Sequence, residues 1–147
     1  MNNLLKFIEL PFREKVLFFQ ATYSLLVFLI KLVYAPSKIL FTKVAKAANV
    51  SVDQQSPRLP PSRIATMINQ ASCIVPYLTC LSKALAASAL FTKNCYSADL
   101  HIGVFIDEKR PLEAHAWLSH KGEIVLGNLP NLGVCQELPL KSHGDTL

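Results

Sequence analysis

Leu100-His101-Ile102-Gly103-Val104-Phe105-Ile106, then Ala114-His115-Ala116-Trp117-Leu118-Ser119, His120-Lys121-Gly122 and Glu123-Ile124-Val125-Leu126-Gly127-Asn128 decide the fold. In the first run apolar residues recur at every second position, the period of a half-buried strand. The second and third runs read as two further strands around a His120-Lys121-Gly122 turn. Asp107 to Pro111 reads as the polar turn between the first and second strands. Three short strands with tight connections make an antiparallel meander.

Working back from the sheet, the period changes from 2 to 3.6. A helix is expected from Thr79-Cys80 through Leu81, Ala84, Leu85, Ser88 and Phe91 to about Lys93, with Asn94 as a left-handed C-cap. Val75-Pro76 separates it from another helix over Arg63–Ser72, with Ser62 as its cap and Ile64, Met67, Ile68 and Ala71 on one face. Helices followed by an antiparallel sheet define an α+β chain.

Residues 1–50 read as an apolar, basic segment of two or three helices, the first starting near Pro11 and broken at Tyr34-Ala35-Pro36-Ser37, with a shorter one ending near Ala48. Pro57, Pro60 and Pro61 mark 51–62 as a linker, and 63–147 as the catalytic domain. Of the formal net charge of +5, all resides in the N-terminal piece: seven Lys/Arg against Glu9 and Glu14, the remaining positions balancing at eight of each sign. Such asymmetry suits an anionic membrane surface or an acidic partner, and argues against nucleic acid because the cations are interleaved with long apolar runs. Val16 to Ile30 carries no charge over fifteen residues. It fits a buried core helix, an interfacial helix or, extended to Ala35, a membrane span. No cleavable signal sequence is evident, so a reducing cytoplasmic setting is expected.

Cys73, Cys80, Cys95 and Cys135 form no C-x-x-C pair and no zinc spacing, so neither a metal nor another cofactor is expected. Cys80 stands at an expected helix start, where unpaired N–H groups and the helix dipole favour a thiolate and can hold an oxyanion. A buried structural cysteine is the plain alternative. His115 is the one polar side chain in Ala114-His115-Ala116-Trp117-Leu118, a fixed position from which a base could serve a nearby thiol. Ala114 and Ala116 leave room for a substrate backbone, and Trp117 reads as core or as a wall of the groove. If Lys121-Gly122 is a two-residue turn, facing positions sum to 243: Trp117 faces Leu126, Ala116 faces Gly127 and His115 faces Asn128. Asn128 then orients the imidazole, with Glu123, on the opposite face, as the weaker choice. His101 reads as a solvated or hydrogen-bonded strand residue, and His120 and His143 as turn and tail residues.

Cys80-Leu81 with its alanine- and leucine-rich helix, Leu100-His101-Ile102-Gly103-Val104, Ala114-His115-Ala116-Trp117-Leu118 and Gly122-Glu123-Ile124-Val125-Leu126-Gly127 resemble the C-terminal module of lasso-peptide B proteins. The opening Leu10-Pro11-Phe12-Arg13-Glu14-Lys15 resembles the start of the stand-alone, B2-type leader peptidases, and the length fits them. The resemblance implies a transglutaminase-like, papain-like fold with Cys80 as nucleophile and His115 as base. It implies removal of a leader from a ribosomally made precursor presented by a B1-type recognition protein, with an ATP-dependent lasso cyclase acting next. Some relatives place an Asp near the strand end where this chain has Leu126-Gly127-Asn128. A transglutaminase-like amidase or acyltransferase with another substrate, and a membrane-associated scaffold with a structural Cys-His pair, are the competing readings.

Overall fold

The computed structural model describes residues 11–34, 59–106 and 112–138. The expected polar turn at 107–111, the short helix toward Ala48, most of the linker and His143 lie outside them.

Helix α1 spans Phe12–Tyr34, α2 Pro61–Ser72 and α3 Cys80–Lys93, followed by β1 (Asp99–Phe105), β2 (Glu113–His120), β3 (Glu123–Leu126), a 3-10 turn at Leu132–Val134 and β4 (Gln136–Glu137). The four strands form one antiparallel sheet in the order β3-β2-β1-β4. The α+β expectation and the meander hold, and β4 adds a return to β1 that no sequence signal announced.

Apolar spacing explains the layering. Leu17, Ala21 and Leu25 recur every four residues on α1, and Ile64, Met67, Ile68 and Ala71 make the matching face of α2. Both join Ala86, Ala87, Leu90 and Phe91 of α3 in a single core that also takes Leu118 and Leu126 from the sheet. Leu100 faces Leu118, and Leu118 faces Leu126, so one face of the sheet lies on the helices. The N-terminal helix is thus built into the same core as α3. An ion pair between Glu14 and Arg63, with Arg63 Nε donating to Glu14 Oε1 at 3.0 Å, ties α1 to α2.

Two cap expectations are corrected. Helix α2 begins at Pro61 after Pro60, and Ser62 lies inside the first turn without capping it. Proline supplies the helical φ and lacks the N–H that would need a cap. At the end of α3, Asn94 has φ −97°, while the left-handed residue is Cys95 at φ 65°. Asn94 is buried, and its side-chain amide donates to the Leu90 carbonyl at 2.8 Å, completing the helix end by another route.

Candidate active site

Thr79 fixes where α3 begins. Its hydroxyl accepts from the Ser82 N–H at 3.2 Å and the Ser82 hydroxyl accepts from the Thr79 N–H at 3.0 Å, a reciprocal capping box. Cys80 is therefore the first helical residue, and the N–H groups at this end have no intrahelical acceptor. The Ser82 N–H is taken by the Thr79 hydroxyl, which leaves those of Cys80 and Leu81 for an anion or an oxyanion.

The Cys80 sulfur lies 3.9 Å from the carbonyl oxygen of Ala114. That carbonyl belongs to the same peptide group as the His115 N–H, so the start of α3 abuts β2 where His115 stands. Sequence positions 34 apart meet because α3 packs along the helix-facing side of the sheet.

Nε2 of His115 sits 2.7 Å from the carbonyl oxygen of Gly127. A carbonyl only accepts, so Nε2 carries the proton and Nδ1 is the basic nitrogen of the neutral ring. The orienting group is a backbone oxygen, where the sequence reading placed the Asn128 side chain. The reason is a bulge. Lys121 and Gly122 form the expected two-residue turn, with φ 52° and 81°, and His120 faces Glu123 and Ser119 faces Ile124 as anticipated. The register then slips, and Leu118, not Trp117, faces Leu126. One extra residue in β3 moves every later pairing by one position. Gly127 consequently sits against Trp117: a Cβ there would lie 2.9 Å from both the Ala116 oxygen and the Trp117 Cβ. Its φ of +81° also excludes most side chains. Asn128, expected opposite His115, is exposed beyond the end of β3. Glu123 stays paired with His120, five residues from His115 along β2.

Of the residues expected to line a groove, Ala114 is exposed beside the sulfur, whereas Ala116 and Trp117 are buried. Trp117 is packed between two imidazoles. Its ring lies 5.3 Å from His101 at 9° and 6.2 Å from His115 at 14°. His101 is held at both nitrogens, Nδ1 by Glu137 at 2.5 Å and Nε2 by the Ser119 hydroxyl at 2.7 Å. The reading of His101 as a hydrogen-bonded strand residue is correct, but nothing in the sequence linked it to Glu137. Gly103, opposite His115, is crowded: a Cβ would meet the Cys135 sulfur at 2.5 Å and the edge of Trp117 at 3.1 Å. Burial pushes the Cys135 thiol above its usual range, and the Glu137 carboxylate adds to the effect. His120 is structural, bonded to the Ser97 carbonyl and packed on Phe91 and Tyr96. Among the described residues no group of His, Cys, Asp and Glu is arranged to hold a metal ion.

Comparison with curated proteins and with solved structures gives no match. A family model does match: that of the transglutaminase-like superfamily, over residues 24–136, from the middle of α1 to β4. That stretch contains the helix-start cysteine, the strand histidine and every element that joins them. The chain belongs to the transglutaminase-like superfamily.

Proposed function

We propose that this protein is a cysteine peptidase that cleaves the leader from a ribosomally made lasso-peptide precursor. The observation that carries the peptidase reading is Cys80 at the capped start of α3, against the peptide group that leads into His115. The lasso-peptide assignment rests on the residue resemblance, above all Ala114-His115-Ala116-Trp117-Leu118.

In the proposed reaction Nδ1 of His115 takes the Cys80 thiol proton; the sulfur, whose contact in the structure is the Ala114 carbonyl, and the imidazole must first be brought together by a movement of the start of α3 or of the end of β2. The thiolate attacks the carbonyl carbon of the leader–core amide, and N–H groups at the start of α3 hold the oxyanion. The C–N bond breaks as His115 returns its proton to the departing amine. The leader remains on Cys80 as a thioester. Water then attacks that carbonyl, giving a proton to His115, and the leader acid leaves with regeneration of the thiol. The Gly127 carbonyl keeps Nε2 protonated throughout, so Nδ1 stays the basic nitrogen.

The proposed partners are the precursor, a leader-recognition protein of the B1 type and a lasso cyclase, in the cytoplasm. Helix α1 supports attachment to an anionic membrane surface. It is long and apolar enough by length and composition to cross a membrane. Its Leu17, Ala21 and Leu25 are nevertheless buried against the other helices, while Phe12, Val16, Phe19, Tyr23, Leu26, Ile30 and Val33 are exposed at alternating three- and four-residue steps. One apolar stripe outside and one packed face inside suit a helix lying in the interface, with the exposed Arg13 and Lys31 near its two ends for lipid phosphates.

The deciding experiment incubates the full chain with a lasso-peptide precursor and a B1-type recognition protein. Mass spectrometry should find the free leader acid and core amine, and an intact precursor with Cys80 replaced by Ala. No cleavage under conditions where Cys80 alkylates readily would remove the leader-peptidase assignment and favour an amidase or acyltransferase acting elsewhere.

A further inference from the structure

From the contacts behind β2 we infer that Glu137 and His101 are positioning residues for His115, acting through the ring of Trp117. The inference rests on His115 being the base of the proposed peptidase site. The hydrogen bond from Nε2 to Gly127, the one His115 side-chain bond among the described residues, fixes one ring atom of His115 but leaves the ring free to tilt about that bond. The tilt is set by the neighbouring aromatic plane, Trp117, which lies within 14° of parallel.

Trp117 in turn has little freedom. The edge of its ring lies against Gly103, its Cβ lies against Gly127, and its ring stacks on His101. His101 cannot rotate, because both nitrogens are engaged. Nδ1 donates to the Glu137 carboxylate, while Nε2 and the Ser119 hydroxyl share the second bond. Three near-parallel rings therefore run from a carboxylate on β4 to the base on β2. Glu137 itself is half-exposed, at 54% of its side chain, in a two-residue strand. A residue so placed contributes little to the core, so its replacement tests position rather than folding.

The test uses the intact chain and iodoacetamide, following alkylation of each cysteine by mass spectrometry, together with the fluorescence of Trp117, the only tryptophan in the sequence. His115→Ala is the reference. If it leaves the Cys80 rate unchanged, the peptidase reading falls and the inference with it. If it slows Cys80, the inference stands or falls by itself. Glu137→Ala and His101→Ala should each slow Cys80 about tenfold, since sub-ångström to 1 Å displacements of a catalytic group can cost on the order of 10²-fold. The double variant should be no slower than His101→Ala alone, as expected for groups on one path. Trp117 emission should change in both, with unaltered far-UV circular dichroism. Glu137→Gln keeps an acceptor for His101 and should restore the Cys80 rate, while Cys135, relieved of the adjacent carboxylate, should alkylate faster than in the native protein. Native Cys80 rates in both alanine variants, or additive losses in the double variant, would overturn the inference.

Discussion

The two faces of β2 are one strand put to opposite uses. Ala116 and Leu118 point at the helices and are buried there with Leu126, and the partly buried Leu100 packs against the same core. His115, Trp117 and Ser119 alternate with them and point the other way, into a layer of imidazole, indole and hydroxyl groups bridged to β1 and β4. Between the faces, in the plane of the sheet, the Ala114 carbonyl meets the Cys80 sulfur. The helix-facing side supplies stability through burial, which is non-directional and tolerant of substitution at constant volume. The other side supplies direction through ring planes and single hydrogen bonds, where a small shift matters more than area. Mutations on the first face should therefore lower stability while leaving cleavage per folded molecule nearly native. Those on the second should lower activity first.

The largest separation is expected at Cys80. Cys80→Ala should abolish precursor cleavage, by about 10⁴-fold or more, while thermal unfolding stays within a degree or two of native, because the side chain is only partly buried. Loss of cleavage together with loss of folding would erase the distinction at this position. His115→Ala should follow at about 10²- to 10⁴-fold, the usual worth of a positioned general base, measured as cleavage rate or as Cys80 alkylation at neutral pH. On the opposite face, Leu118→Ala should reduce unfolding free energy by about 2–5 kcal/mol in a denaturant titration, with cleavage per folded molecule nearly native below the transition. Gly127→Ala lies where the two faces meet. Its positive φ and the 2.9 Å approach to Ala116 and Trp117 should cost about 1–3 kcal/mol, and the displaced carbonyl should cost more activity than that destabilisation explains. The smallest effect should be at Asn128: Asn128→Ala should change the cleavage rate by less than about twofold, since the acceptor on His115 is the Gly127 backbone. A hundredfold loss there would return the orienting role to the side chain.

Periodicity was enough to place α2, α3 and three strands, because burial of one face imposes a 3.6- or 2-residue pattern that survives without any knowledge of partners. Thr79-Cys80 was equally legible as a helix start, since a cap is made within a few residues, whereas Ser82 as the other half of the capping box came from the structure. Lys121-Gly122 announced its turn for the same local reason. The third group at the site was not legible. Whether His115 meets Asn128 or Gly127 depends on a single bulged residue in β3, and a bulge is a compromise among Val125, the core beneath it and the twist of the sheet. The Glu137–His101–Trp117 stack was hidden for a different reason: it joins positions on three strands, one of which exists only because the chain returns to β1.

By itself the sequence determined the local chemistry: a thiol at a helix start, an imidazole on a strand, and apolar spacing that makes α+β layers around them. Only the tertiary structure decided which atoms face which, because a register shift of one residue costs little in local conformation yet reverses every side chain beyond it.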